Sequence, residues 1–292
     1  MDFEKTGLVL EGGGLRGVYT SGAIRFLMDK SISFPYVIGV SMGACNGANY
    51  ISRQLDRNRI VNISFVNDSR YLSYKRLLFK GELFGMDFIF NTIPFSLVPF
   101  DQDTFFKNKA KYLIGVTDLK TGAPVYYEKD EFEDDYMEIF RATCSLPFVA
   151  KPVHYKERII MDGGLADPVP IGKSMADGNK RNVLVLTRPG GYRKKFSPLH
   201  LLLARIGYPG FKGLHKNLAN RHKRYNHAMD IIDELEKSGQ ALSIRPAEAI
   251  VAGRVERNKE KLYAAYNQGY EDASSCYEKL KSFLNPILRG NL

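Results

Sequence analysis

Residues 7–17 read GLVLEGGGLRG and residues 36–43 read YVIGVSMG. Each stretch starts as a short apolar run, passes into glycine or serine, and gives way to apolar residues at helical spacing, over residues 18–29 and 42–53. A buried strand that turns abruptly into a helix, twice in succession, is the opening of an α/β chain. Working outward, residues 111–120 and 123–128 read as two strands joined at Thr121-Gly122. Residues 134–144 read as a helix. Residues 158–161 read as a strand ending in Asp162-Gly163-Gly164, and residues 182–187 as a further buried strand. This alternation predicts an α/β fold with a mostly parallel central sheet flanked by helices.

Beyond Pro189 helical patterns take over, at residues 199–205, 214–237 and 256–283, with residues 241–245 as the one strand-like run. No linker, repeat or low-complexity tract intervenes. The expected organisation is a catalytic-type region over residues 6–188 and a helical extension over residues 189–292 packed on the same domain.

The bulk properties agree with an ordinary folded chain: 44% hydrophobic and 25% charged in 292 residues. Three cysteines, Cys45, Cys144 and Cys276, give no disulfide framework or zinc spacing and fit a reducing compartment. The start, MDFEKTG, carries two acids and no apolar run, unlike a secretory signal. The most apolar stretch, residues 83–100, is broken by Asp87, Asn91 and two prolines, so no spanning helix is expected. A cytoplasmic protein follows, at most peripheral to the inner face of the membrane.

The net charge of +10 is concentrated in the extension: residues 1–187 hold 23 Lys/Arg and 22 Asp/Glu, residues 188–292 hold 19 and 10. Such basicity suits an anionic membrane surface as well as a merely solvated one. No nucleic-acid module is present, so nucleic acid is not an expected partner. With no HExxH, phosphate-loop lysine or acidic calcium ladder, no metal or cofactor is expected either.

Three motifs carry chemistry. Gly12-Gly13-Gly14-Leu15-Arg16-Gly17 follows a strand and opens a helix. Read as a dinucleotide fingerprint it lacks an acid at the end of the second strand, where Gly39-Val40-Ser41 stands. The remaining reading is a cradle of free backbone N–H groups facing negative charge. Gly39-Val40-Ser41-Met42-Gly43 is a GxSxG between strand and helix, the pattern of a nucleophile elbow. The plainer reading of Ser41 is a helix cap. A nucleophilic serine needs a base. Asp162, ending a strand before two glycines, is either such a group or the cap of the next turn. Of the five histidines, His154 is the rival base, because His200, His215, His222 and His227 sit among basic residues of the extension.

Taken together, GGGxRG, GxSxG and a distant DGG resemble the patatin-like phospholipase family over residues 6–188. The block Ala142-Thr143-Cys144-Ser145-Leu146-Pro147 resembles a fourth family element, with threonine in place of serine. The extension is similar to that of some bacterial members. The resemblance implies a three-layer patatin-like fold and a Ser–Asp dyad without histidine. Ser41 would be the nucleophile, Asp162 its base, and the backbone of Gly12, Gly13, Gly14, Leu15, Arg16 and Gly17 the oxyanion loop. One departure lies at Leu165-Ala166-Asp167-Pro168, where many relatives carry asparagines before the proline. The expected activity is lipid acyl-ester hydrolysis of the phospholipase A or esterase type. The rivals are a Ser–Asp–His α/β-hydrolase and a basic lipid-associated binding protein with little activity. The aromatic stretch at residues 83–100 is either an acyl-chain wall or ordinary core. The basic stretch at residues 212–224 is either a headgroup contact or a solvated helix face.

Overall fold

In a computed structural model of the chain, residues 5–285 are described. The first four residues of the acidic start lie outside them. Eight strands form one sheet in the order β5-β6-β3-β2-β1-β7-β8, with β4 also paired to β3. The strands are β1 (Thr6–Leu10), β2 (Tyr36–Val40), β3 (Lys111–Asp118), β4 (Pro124–Glu128), β5 (Val153–Tyr155), β6 (Arg158–Asp162), β7 (Arg181–Val185) and β8 (Ala241–Ile244). The helices are α1 (Val18–Asp29), α2 (Met42–Ile51), α3 (Arg57–Arg59), α4 (Tyr74–Lys80), α5 (Gln102–Lys107) and α6 (Tyr136–Thr143). They continue as α7 (Ile171–Ala176), α8 (Pro198–Gly207), α9 (Lys212–Lys237), α10 (Lys259–Ser275) and α11 (Tyr277–Leu284). A π-helix, Phe88–Leu97, carries Pro94 inside it.

Pairing is parallel for β7–β8, β1–β7, β1–β2 and β2–β3. Alternation along a strand sends successive side chains to opposite faces. Leu8 and Leu10 of β1 join a core shared with α1, α2 and α6. Val9 joins a second core with Tyr225, Met229 and Ile232 of α9. The two faces are thus covered by helices from different parts of the chain.

The C-terminal extension is tied in at three places. Strand β8 pairs with β7, α9 covers one face, and α10 lies against α1 on the other. The α1–α10 contact is backbone to backbone. A Cβ on Gly22 would lie 1.9 Å from the carbonyl oxygen of Tyr266, and one on Gly269 would lie 2.0 Å from that of Tyr19.

Two expectations need correction. Strand β6, expected as part of a mostly parallel sheet, runs antiparallel to both β3 and β5. A strand buried on both faces reads the same in either direction, and only the tight β5–β6 turn at Lys156, φ 50°, reveals the reversal. The helical pattern over residues 256–283 divides at Cys276 into α10 and α11. The break follows Ser274-Ser275-Cys276, residues of middling helix propensity.

The register of β3 explains how distant residues meet. Strand β4 occupies residues 113–117 of β3 along one edge. Strand β2 pairs with residues 111–115 and β6 with residues 116–118, so both must share the other edge, end to end. The C-terminus of β2 at Val40, opposite Gly115, therefore faces the C-terminus of β6 at Asp162, opposite Val116.

Candidate active site

Ser41 occupies the junction between β2 and α2 with φ 55° and ψ −133°. A non-glycine residue held there stores about 1–3 kcal/mol of strain, a cost typical of functional turns. The side chain does not cap α2, so the plainer reading of this serine is not what the geometry favours. The flanking glycines are required by crowding: a Cβ on Gly39 would lie 2.7 Å from the Ala44 nitrogen, and one on Gly43 would lie 2.5 Å from the Leu10 oxygen. The elbow is pinned from outside by Thr143. Its Oγ1 accepts the Ser41 N–H at 2.8 Å and donates to the Gly115 carbonyl at 2.7 Å.

Asp162 is buried at 2% exposure. Its Oδ1 accepts the Gly164 N–H at 2.8 Å, so the turn-capping reading is realised by one oxygen. Its Oδ2 is buried with no hydrogen-bond partner among the described residues. Burial raises the carboxyl pKa above the usual aspartate range. The Ser41 hydroxyl, then Arg221, oppose that rise, which puts both groups beside the carboxylate. The backbone is held as well: the Asp162 N–H donates to Ser145, and the Thr117 hydroxyl donates to the Asp162 carbonyl. In the segment that follows, the Thr117 hydroxyl also accepts the Ala166 N–H, and Asp167 accepts from Tyr126.

The glycine loop packs directly on Ser41. A Cβ on Gly12 would lie 2.9 Å from the Ser41 Cβ. The amides of Gly12, Gly13 and Gly14 have no protein acceptor among the described residues. The Leu15 N–H is different, because it donates to the Arg254 carbonyl at 3.0 Å. Arg16 lies inward and its Nε donates to Thr187 Oγ1 at 3.2 Å, while Thr187 donates from both N–H and hydroxyl to Glu11. That chain fixes the loop from behind. Gly17 closes it, with its carbonyl accepting from Asn46 at 2.8 Å.

A cavity of about 20 Å³ is bounded by Gly12, Gly13, Gly14, Ser41, Asp162 and Arg221, among others. It has room for about one water or one carbonyl oxygen. Next to it, a cavity of about 1130 Å³ opens onto Ser41. One side of the large cavity is apolar, with Met86, Ile89, Phe90, Pro94, Phe100 and Phe140. Within the aromatic stretch Phe84, Phe90 and Phe100 reach this cavity, Phe88 is core, and Phe95 is exposed. The same cavity is also lined by the basic residues Arg188, Lys194, Arg221 and Arg254, and by Arg57 over the Phe100 ring.

Histidine is absent from the small cavity among the described residues. His154 stands exposed on β5. His200 and His222 line the large cavity, where His200 bonds Ser197 and His222 packs on Phe196.

Sequence reading missed several residues here. Cys45 and Cys144 come within 3.5 Å through sulfur, and Cys144 also feels the Ser41 hydroxyl. Arg221, Lys194 and Arg254 reach the site from the extension with no spacing that could have marked them.

A family model for patatin-like phospholipases matches residues 8–173, more than half of the chain. The chain belongs to the patatin-like phospholipase family. A second model, for a domain of unknown function designated DUF6363, matches residues 211–285 of this patatin-like chain. It is 27% identical over 188 residues to the uncharacterized protein YjjU of Escherichia coli, covering 62% of the chain and 52% of that protein. It is 23% identical over 174 residues to the uncharacterized NTE family protein Rv1063c of Mycobacterium tuberculosis, covering 57% of the chain and 44% of that protein. The chain thus spans about half the length of these curated relatives. The crystal structure of VipD from Legionella pneumophila shares the fold, with a TM-score of 0.54 at 13% identity over 94% of this chain and 67% of that one.

Proposed function

We propose that this patatin-like chain is a serine lipid acyl hydrolase working through Ser41 and Asp162 without histidine. The observation that carries the reading is the pair itself. A strained serine that caps no helix borders the same small cavity as a buried carboxylate whose Oδ2 has no hydrogen-bond partner among the described residues.

The chemistry runs in two halves. Ser41 Oγ attacks the acyl carbonyl carbon while its proton passes to Asp162 Oδ2. The ester C–O bond then breaks and the leaving alkoxide takes that proton. Water attacks the acyl-serine, Asp162 accepts the water proton and returns it to Ser41 Oγ, and the fatty acid departs. Charge on the carbonyl oxygen would be met by the free amides of Gly12, Gly13 and Gly14, each key donor supplying about 3–4 kcal/mol. Leu15, whose amide is engaged, acts as a loop anchor, and Arg16 and Gly17 hold the loop in shape. A raised pKa makes Asp162 a stronger base than a solvated aspartate, which suits the role.

The apolar wall from Met86 to Phe140 fits an acyl chain. Helix α8 lies at the rim, with His200 and Leu203 lining the cavity and Leu199, Leu202 and Ile206 between 56% and 70% exposed. With Lys195 and Arg205 beside them, these side chains suit peripheral contact with an anionic membrane. Among the described residues no helix is long and apolar enough to cross a membrane.

The test is hydrolysis of a nitrophenyl ester and of a phospholipid without added metal. Ser41→Ala and Asp162→Asn should each lower kcat by about a thousandfold or more. His154→Ala should stay near wild type, and loss of activity there would restore the triad reading. For the membrane contact, Leu202→Asp with Ile206→Asp should weaken co-sedimentation with anionic vesicles, and unchanged binding would remove α8 from the interface.

A further inference from the structure

The basic wall of the large cavity has a composition that ester cleavage alone does not require. Arg16, Arg188, Lys194, Arg221 and Arg254 surround the space next to Ser41, and among the described residues only Glu11 and Asp162 stand against them nearby. None of the five makes a salt bridge among the described residues. Fifteen ion pairs do form elsewhere, so acids are available in the chain but are not placed here. Arg188 and Lys194 rest instead on the rings of Tyr192 and Tyr225, which orient a cation without neutralising it. Arg221 donates its Nε to the Gly164 carbonyl, which leaves its terminal nitrogens available.

Crowding shows in the protonation of these groups. Lys194 is pushed down to about 6, chiefly by burial and then by Arg221 and Arg254, so near neutral pH it takes up its full charge only when an anion sits beside it. Arg221 is lowered to about 10, by burial first and Arg254 next. Gathering cations with few acids against them, Arg16 buried and Arg188, Lys194 and Arg221 half-buried, is unfavourable unless an anion arrives. A planar guanidinium suits the oxygens of phosphate in particular.

Location narrows the chemistry further. Arg221, Arg254 and Lys194 border the same small cavity as Ser41 and the glycine loop. The small cavity holds no more than the carbonyl oxygen, but all three cations also line the large cavity that opens onto Ser41, and an anion held against them there lies close to the reacting carbonyl, as the phosphate of an acylglycerol phosphate does across its short glycerol backbone. A bulky cationic headgroup on that phosphate would meet Arg188 and Lys195, which line the same cavity, whereas Arg193 is already paired with Asp230 and Asp233.

Building on the hydrolase reading, we infer that Arg221 and Arg254, with Lys194, form a phosphate-binding subsite beside Ser41 that selects acyl esters of glycerol phosphate over zwitterionic phospholipids. Both arginines fall within residues 211–285, so this is a role for the region of unknown function: it completes the site with charge.

The test is calorimetric binding to Ser41→Ala protein, which needs no turnover and therefore stands or falls separately from the dyad. The probes are dihexanoylglycerol phosphate, dihexanoyl phosphocholine and inorganic phosphate. The glycerol phosphate ester should bind at least about tenfold more tightly than the choline ester. Adding Arg254→Gln or Arg221→Gln should erase most of that preference, while Lys237→Gln, at the far end of α9, should keep it. Inorganic phosphate should compete with the lipid. Arg254 decides the matter should Arg221→Gln fail to fold, because Arg254 is exposed and its side chain makes no hydrogen bond among the described residues. Equal binding of the two lipids, or a preference that survives Arg254→Gln, would overturn the inference. Inorganic phosphate bound without displacing the lipid would also overturn it, by pointing to a free-phosphate site.

Discussion

The two parts of the chain contribute to the site in different currencies. Residues 6–188 bring geometry: a strained elbow at Ser41, a buried carboxylate at Asp162 and a loop of free amides at Gly12 to Gly14. The extension brings charge and anchorage: Arg221 on Gly164, the Arg254 carbonyl on Leu15, and Lys194 beside both. Geometry of the first kind depends on backbone, which tolerates few side chains. Charge of the second kind depends on a few long side chains that many sequences could supply. The first kind leaves motifs and the second leaves almost none.

Uncoupling the two parts should have the largest effect. Gly22→Val places a side chain where α1 and α10 touch through their backbones. The helices must separate, so stability should fall by about 3 kcal/mol or more, read as a lowered midpoint in urea. A midpoint within error of wild type would mean that the extension is only loosely docked. Thr143→Val comes next. It removes the hydroxyl that joins Ser41 to Gly115, and loss of one buried bond of this kind costs about 1–3 kcal/mol. Activity should fall by roughly tenfold or more while Thr143→Ser, the residue the family pattern carries, restores it. Equal activity in the valine and serine variants would show that the elbow holds itself.

The smallest effect should come from the charge contributed by the extension. Arg221 favours the ionised form of Asp162, so Arg221→Gln should raise the carboxyl pKa further. The working base is the ionised carboxylate. Activity is therefore present above the Asp162 pKa and lost as pH falls through it, and the acid limb of the pH–rate profile should move upward in the variant. A limb that stays in place, or moves down, would separate Arg221 from the dyad electrostatically.

Much of the fold was readable because its signals are local. The runs at residues 7–11 and 36–40, each followed by helical spacing, are β1–α1 and β2–α2 within a few residues. Strand direction at β6 was not readable, since burial on both faces hides it. Within the site, Ser41 and the glycines announce themselves through the neighbours they crowd. Asp162 as a partner for Ser41 came from family resemblance, and the physical reason lies in the shared edge of β3, which no single stretch of sequence encodes. Arg221 looked like one more charge in a basic stretch. Only the fold turns it inward to Gly164, away from the exposed Lys216 and Lys223 of the same helix. The approach of Cys45 to Cys144 was hidden for the same reason: the two lie 99 residues apart.

The central claim is a serine made nucleophilic by a carboxylate alone. The most direct measurement is the rate of covalent labelling by a fluorophosphonate probe, followed by intact mass and peptide mapping, for wild type, Asp162→Asn and His154→Ala. The dyad predicts one adduct, on Ser41, forming at least about a hundredfold more slowly in Asp162→Asn and at the wild-type rate in His154→Ala. Labelling that proceeds unchanged without the Asp162 carboxylate, or that stops when His154 is removed, would contradict it.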